Sequence, residues 1–301
     1  MKLTLKVISL IFCAQVCTAQ IHQEVKSFSE SYEMKSGAEL NIKGERLFVD
    51  IQSWEESYLK AEVEVVSQHE NKAQAQADLE KIQVSFEMNR NKLEFRNGLR
   101  IPSPSDKPRS KLKTILKVYL PADMQVSVTN NFGELKASGA IRRLEVITKF
   151  CSVELSMIQG EVFFTSEYDK VALINSEVNM EFSGSRTDLS ITDAKGKIKG
   201  AIDYGNMEID FLNNGSFIEM TSEHTPVTLI VPEDLSGSVD VACQRCAINV
   251  SNCNSITDEK ITGKKHEVMI GSPSAGTGYN VIKSKLEDVS VITVNSQTSS
   301  N

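Results

Sequence analysis

A nine-residue apolar period constrains the fold of this chain more than any other feature of its sequence. From Val126 to Met207 every ninth residue is apolar, at ten positions in succession. The residue two places further on is large and apolar at eight of those ten positions. A period kept this strictly predicts a fold built from repeated structural units that stack on one another.

Large planar side chains show that the true repeat is eighteen residues long. They occupy the same position of five successive blocks, at Phe132, Phe150, Tyr168, Arg186 and Tyr204. We call this set the aromatic ladder. An antiparallel meander gives no reason for a ring at every second turn, whereas in a β-solenoid equivalent residues of successive coils lie about 4.8 Å apart and stack. The repeat therefore predicts a parallel β-solenoid with two short strands and two turns per coil.

The regular coils cover residues 126–215, and weaker strand patterns extend the predicted single domain to residues 37–294. A left-handed hexapeptide helix also has eighteen residues per coil, but it needs an apolar residue every six positions, which these blocks lack. The period changes to that of a helix only at about residues 70–82. Residues 98–110 contain three prolines and several basic residues, which predicts an exposed, mobile loop.

The first nineteen residues resemble a secretory signal peptide, with Lys2 and Lys6 before an apolar stretch and a small-residue cleavage site. We expect a loosely held lead-in at 20–36 and a disordered tail at 295–301. The sequence contains no stretch that approaches eighteen apolar residues, so no transmembrane helix is expected. The product would be exported to the periplasm, the cell surface or the medium. A net charge of -7 makes nucleic acid an unsuitable partner.

Four short motifs, in this order, resemble those of the bacterial putative-adhesin family of unknown function, which is common in Bacteroidetes. They are Ala38–Ile42, Ile51–Trp54, Val118–Pro121 and Asn131–Leu135. The resemblance spans roughly residues 25–294 and implies an exported β-solenoid, with an adhesin-like role that rests on fold analogy. The family pattern defines no catalytic residues.

The sequence departs from the family pattern in the middle coils. Cys151, Asp169 and Thr187 stand where family members more often have glycine, so we expect the turns there to be altered.

The aromatic ladder has two interpretations. In the structural one the rings stack and close the edge of the solenoid, with Arg186 between Tyr168 and Tyr204. In the functional one the rings form a surface that packs against the sugar rings of a glycan. The preceding column would place Lys149 beside Glu167 as a surface ion pair.

Three cysteines lie close together in sequence, at Cys243, Cys246 and Cys253. In an exported protein they predict a disulfide or buried free thiols, and the pairing cannot be read from the sequence. The Cys-x2-Cys spacing also suits half of a zinc site, with His224 or His266 as a further ligand. We weigh the disulfide above the free thiols and both above the metal.

No catalytic motif, cofactor motif or assigned metal site is present in the sequence. A polysaccharide lyase or hydrolase on a β-helix scaffold would use clustered aspartates, for which Asp188, Asp193, Asp203 and Asp210 are the candidates. The favoured expectation is a non-catalytic, adhesin-like binding or scaffolding module of the cell envelope. Its partner would be an envelope protein or a glycan. A sensory or accessory envelope protein with a protein partner is the other alternative.

Overall fold

The computed structural model describes residues 21–210, 216–232, 237–244, 247–251, 256–271, 278–285 and 291–297. Within these ranges the chain is almost entirely β-strand. The helical elements described are α1 (Lys72–Leu79) and a 3-10 turn at Pro104–Asp106.

The strands that precede the regular repeat are β1 (His22–Glu33), β2 (Glu39–Glu45), β3 (Leu47–Trp54), β4 (Tyr58–His69), β5 (Ile82–Asn89), β6 (Lys92–Leu99) and β7 (Lys111–Pro121). Those of the repeat are β8 (Gln125–Asn131), β9 (Glu134–Lys149), β10 (Ser152–Glu167), β11 (Lys170–Ile174), β12 (Glu177–Thr192) and β13 (Lys195–Asp210). The remaining strands are β14 (Ser216–Glu223), β15 (Val227–Pro232), β16 (Gly237–Gln244), β17 (Ala247–Ser251), β18 (Ile256–Thr262), β19 (Lys265–Gly271), β20 (Gly278–Lys285) and β21 (Val291–Gln297).

The strands of the repeat pair in parallel with a register of one eighteen-residue coil. Val162 of β10 lies opposite Leu144 of β9 on one side and Met180 of β12 on the other. The long strands β9, β10, β12 and β13 each contribute to both faces of the solenoid. The predicted parallel β-solenoid is therefore confirmed, and it has about six turns.

The apolar residues of the repeat form the interior between the two faces. Leu135, Val153, Val171, Leu189 and Met207, which stand eighteen residues apart, are all buried and belong to one hydrophobic cluster. Alternate residues along each strand face solvent, as the half-buried strand period requires. The nine-residue period in the sequence is thus the consequence of two inward-facing strands per coil.

Each coil turns at two corners, and both corners use a left-handed backbone at a fixed position. The first corner carries Phe132, Phe150, Tyr168, Arg186 and Tyr204, with φ between 51° and 59°. The second corner carries Gly139, Met157, Asn175 and Asp193, also at positive φ.

The N-terminal end of the solenoid is closed by antiparallel strands and by the helix. β6 and β7 stack in parallel outside β2 and β3, and β4 then pairs antiparallel with β7. β1 covers β4 along its whole length, and α1 packs against both strands. The expected helix is present, although shorter than predicted. The expectation of a loosely held lead-in was wrong, because residues 22–33 form strand β1.

The C-terminal end departs from sequential stacking. β20 lies in parallel between β14 and β16, and β21 lies between β15 and β17. The last strand pair of the chain is therefore inserted beneath a coil that precedes it in sequence. The antiparallel strands β19 and β18 follow β16 at this end.

Several sequence predictions fall at the limits of the described residues. β21 continues through Gln297, which is three residues into the predicted disordered tail. The predicted signal peptide and residues 298–301 lie outside the described residues, as do Cys246, Cys253 and the side chain of Cys243.

Candidate functional site

The aromatic ladder is a continuous column of stacked planar groups along the first corner. The rings of Phe132 and Phe150 are 4.9 Å apart between centroids and nearly parallel, at 5°. The rings of Phe150 and Tyr168 follow at 4.7 Å and 13°. Because the coils are stacked in register, residues at this position of successive coils meet face to face.

Arg186 continues the column between two tyrosines. Its guanidinium carbon lies 5.2 Å from the centroid of Tyr168 and 5.3 Å from that of Tyr204. A guanidinium is planar, so it fills the space of a ring while attracting the π-faces on both sides. The structure thus has the sandwich expected from the sequence.

The column is longer than the sequence repeat indicated. The imidazole of His224 stacks on Tyr204 at 4.5 Å and 8°, and His224 shares the left-handed backbone with φ of 50°. In the coil before Phe132, Arg46 takes the equivalent backbone position, with φ of 54°, and donates its backbone N–H to Asn131 O at 2.7 Å. Both residues were missed because insertions separate them from the eighteen-residue spacing.

The backbone at the first corner is strained for such large residues. A bulky side chain at positive φ is a genuine outlier, and each instance costs about 1–3 kcal/mol. Stacked aromatic pairs return about 0.5–1.5 kcal/mol each. Stacking therefore offsets much of the strain, but the strain is concentrated on side chains that reach solvent rather than on the core.

The ladder is exposed, and it presents ring edges to solvent. Phe132, Phe150, Tyr168 and Tyr204 expose between 40% and 52% of their surface. Their faces are covered by the neighbours above and below, since the rings are nearly parallel at stacking distance. Sugars pack on ring faces, so the interior rings offer no face to a glycan. What solvent meets is a strip of aromatic edges, phenol hydroxyls and a guanidinium.

A buried polar network supports the middle of the ladder from inside. The carboxylate of Asp169 accepts hydrogen bonds from the backbone N–H of Cys151 at 2.6 Å, from Thr148 Oγ1 at 2.6 Å and from Ser166 Oγ at 2.8 Å. Ser166 also lies 2.9 Å from Thr187 Oγ1. These groups satisfy one another away from water.

The expectation that the middle turns would be altered was wrong. Phe150, Tyr168 and Arg186 keep the same left-handed backbone as Phe132. Cys151 and Asp169, which replace glycine, bury their side chains without changing the turn. The Asp169 carboxylate enters the network, and Cys151 Sγ donates to Asn130 O at 3.4 Å. Burial raises the pKa of the Cys151 thiol, and this cysteine is free.

Charged residues flank the ladder. Lys149 Nζ lies 2.9 Å from Glu167 Oε2, as the register predicted. The same ammonium lies 5.6 Å from the centroid of Phe150 and 5.7 Å from that of Tyr168. The ion pair is exposed, so its contribution to stability is small, but it lies against the ring column.

One end of the ladder carries a group that could hold a metal ion. Asp203, Glu223 and His224 place one ligand atom each within 4.8 Å of one another. His224 Nδ1 lies 3.3 Å from Asp203 Oδ1, and the two carboxylates are exposed. Oxygen and imidazole donors suit several divalent metals.

The histidines suggested as zinc ligands serve other contacts. His224 belongs to the ladder, as described above. His266 lies between the backbone N–H of Ile248, at 3.3 Å from Nδ1, and Glu259 Oε1, at 2.8 Å from Nε2. The disulfide and zinc predictions for the cysteine cluster stay predictions, because Cys246, Cys253 and the side chain of Cys243 lie outside the described residues.

The four candidate aspartates divide between the two corners. Asp203 lies at the end of the strand segment before the first corner, and Asp188, which accepts from Asn206 Nδ2 at 2.7 Å, begins the segment after it. Asp193 lies at the second corner, and Asp210 pairs in register with its neighbour Thr192. The arrangement does not bring the four carboxylates into one cluster.

Comparison with known proteins places the chain among distant likenesses. No protein-family model and no curated protein matches it. A putative adhesin from Bacteroides fragilis is 11% identical, with a TM-score of 0.49 over 90% of this chain and 97% of the other.

Two further solved structures are similar in the same way. A putative adhesin from Parabacteroides distasonis is 8% identical, with a TM-score of 0.40 over 89% and 97% of the two chains. A putative cell adhesion protein from Clostridium sporogenes is 14% identical, with a TM-score of 0.27 over 92% and 100%. The names of these solved structures agree with the putative-adhesin family whose motifs this sequence resembles. In the described part of the chain no helix is long and apolar enough to cross a membrane.

Proposed function

We propose that this chain is a non-catalytic protein exported to the cell envelope, where the aromatic ladder binds or holds in place another envelope component. The observation that carries the proposal is the ladder itself, a row of large, strained and half-exposed side chains along one edge. Strain of this kind clusters at binding sites. Export rests on the signal-like first nineteen residues.

The geometry of the ladder favours a protein partner over a glycan. The interior ring faces are covered, so a sugar ring has only edges to contact. A protein surface can lie along a straight strip of aromatic edges and donate to, or accept from, the hydroxyls of Tyr168 and Tyr204. Five steps from Phe132 to His224 span about 24 Å at the spacing of stacked strands, which is long enough for an extended segment of a partner.

Enzymatic activity has less support. The candidate aspartates lie at both corners, whereas a glycoside hydrolase needs two carboxyl groups facing one scissile bond, roughly 5–9.5 Å apart. We therefore keep the enzyme as the alternative that an assay on envelope polysaccharides would reveal.

The test compares ladder variants with a matched variant at the second corner. Phe150→Asn together with Tyr168→Asn removes two rings and keeps the left-handed turn, because asparagine tolerates that backbone. Met157→Asn is the control, since it makes the same kind of change at the second corner. Each purified protein is incubated with envelope extract and with a glycan array.

We expect the unmodified protein and the Met157→Asn control to bind the same protein from the envelope extract. The double ladder variant should not bind it. Retention of that protein by the double variant would remove the ladder from the binding surface. Binding of the unmodified protein to glycans, with loss in the double variant, would replace the protein partner by a sugar.

A further inference from the structure

A groove at the N-terminal end of the solenoid combines apolar walls with cationic side chains. It has a volume of about 470 Å³ and lies between β6, the loop that follows it, β7 and the turn at Arg46. The apolar part of its lining is Ile82, Leu99, Ile101, Pro108 and Leu112. Leu99 and Ile101 are among the exposed large hydrophobic residues of the chain. Ligand sites have volumes of 300–1,000 Å³ and are mostly apolar with a few polar groups.

Three cations line the same groove, although the whole chain has a net charge of -7. They are Arg46, Lys107 and Lys113. In the described residues no carboxylate lies within 4.0 Å of any of their charged nitrogens. The ammonium of Lys113 lies 3.8 Å from the centroid of the Phe48 ring. The groove therefore has positive charge that internal ion pairs do not neutralise, despite the presence of Glu45 in the lining.

The wall formed by the loop of residues 100–110 is held in place by hydrogen bonds to α1. The carboxylate of Asp78, on α1, is fully buried. It accepts from the backbone N–H groups of Arg109 and Ser110 at 2.9 Å each, and from Ser110 Oγ at 2.8 Å. Burial by itself would raise the pKa of this carboxyl, but hydrogen bonds from Lys81, Gln74 and Ser110 hold the pKa well below its usual range. The loop expected to be mobile is thus anchored at its end.

The opposite wall is also held by hydrogen bonds. The Asn97 side chain bridges to the backbone of Glu45, with Oδ1 accepting from its N–H and Nδ2 donating to its carbonyl, each at 3.2 Å. This ties β6 to the turn that carries Arg46. A groove with both walls fixed is preformed, which lowers the cost of binding a ligand.

We propose that this groove binds a long-chain fatty-acid anion, with the acyl chain against Ile82, Leu99 and Ile101 and the carboxylate near Lys107 and Lys113. The apolar walls match an acyl chain, and the cations match a small anionic head group. This site lies at the end of the molecule, and it goes beyond the proposed function of the ladder.

The test is calorimetric titration of the full chain with oleate below its aggregation concentration. Oleyl alcohol has the same chain without the charge, and butyrate has the charge without the long chain. We expect saturable binding of one oleate per chain, and at least tenfold weaker binding of oleyl alcohol and of butyrate. Absence of oleate binding, or equal affinity for the alcohol, would overturn the proposal.

Two variants locate the binding. Lys107→Gln with Lys113→Gln removes two of the three positive charges and leaves Arg46. Ile101→Gln makes one exposed wall polar. Each variant should weaken oleate binding about tenfold. Lys26→Gln with Lys195→Gln is the control for charge, because both lysines are exposed and lie outside the groove lining. Unchanged oleate affinity in both groove variants would contradict the assignment.

The double ladder variant separates this proposal from the proposed function. Phe150→Asn with Tyr168→Asn should bind oleate as the unmodified protein does, because neither ring lines the groove. If the proposal for the ladder is wrong, oleate binding is still expected. If the proposal for the groove is wrong, binding of the envelope partner is still expected.

Discussion

The two corners of the solenoid solve the same backbone problem with different side chains. Both place a left-handed residue once per coil. The second corner uses Gly139, Met157, Asn175 and Asp193, none of which carries a ring. The first corner uses phenylalanine, tyrosine and arginine at the same kind of position.

The turn therefore does not require the rings. Glycine, asparagine and aspartate adopt the left-handed conformation more easily than an aromatic residue, and the second corner shows that they are sufficient. The aromatic ladder is therefore selected for what its side chains do, which is to stack on one another and to face solvent. The following predictions test this difference between the corners.

The largest expected effect comes from the buried network of the first corner. Asp169→Ala leaves the N–H of Cys151 and the hydroxyls of Thr148 and Ser166 without their acceptor. Buried unsatisfied groups are costly, so we expect a loss of about 3 kcal/mol in the free energy of unfolding, measured by urea denaturation.

The matched change at the second corner is Ser176→Ala. Ser176 Oγ accepts from the Ile158 N–H at 3.1 Å and donates to Ile174 O at 2.8 Å. Ser176→Ala leaves one donor, the Ile158 N–H, without its acceptor, whereas Asp169→Ala leaves three. We therefore expect a loss of about 1 kcal/mol in the free energy of unfolding. An equal loss in the two variants would show that the Asp169 network has no special weight.

A pair of glycine substitutions should have opposite signs at the two corners. Phe150→Gly relieves backbone strain but removes two stacked contacts, so we expect a loss of about 1–2 kcal/mol. Met157→Gly relieves the same kind of strain at a side chain that is 58% exposed, so we expect a gain of up to about 1 kcal/mol. Thermal unfolding of both variants measures the signs. A gain in both would mean that stacking does not offset the strain.

Replacing Arg186 in the ladder by lysine should lower the stability of the protein. Arg186→Lys keeps the charge but loses the planar group between Tyr168 and Tyr204, and we expect a loss of about 1 kcal/mol or less. Arg143, near the second corner, lies over one ring, Phe163, at 4.2 Å. Arg143→Lys should therefore lower the free energy of unfolding by less. A larger loss at Arg143 than at Arg186 would show that stacking between two rings does not stabilise the ladder.

The smallest expected effect belongs to the ion pair beside the ladder. A double-mutant cycle with Lys149→Gln and Glu167→Gln should give a coupling energy of about 0.5 kcal/mol, which falls as salt is added, because both side chains are exposed. A coupling above about 2 kcal/mol would show that the pair is more than a surface contact.

The sequence was sufficient for the repeat and for the middle of the ladder. The apolar residues at fixed spacing predicted which side chains face the interior. The planar side chains from Phe132 to Tyr204 predicted the first corner, because stacked coils bring equivalent positions together. The position of Arg186 between two rings followed from the same register.

Other features could not be read from the sequence for physical reasons. His224 joins the ladder after an irregular coil, so the spacing did not reveal it. Arg46 takes the equivalent backbone position in a coil that does not precede Phe132 directly in sequence. The insertion of β20 and β21 between earlier coils is a long-range pairing with no local pattern. The left-handed backbone of Phe150 contradicts the preference of aromatic residues, and the groove near Lys113 depends on how a loop is anchored by the distant Asp78.

We propose that the first corner, and not the second, contacts the binding partner of this protein. The most direct measurement places a photo-crosslinking amino acid at Tyr204 in one protein and at Asn175 in another, and irradiates each in intact cells. We expect a discrete crosslinked partner from position 204 and none from position 175. The same adducts from both positions, or an adduct from position 175 alone, would contradict it.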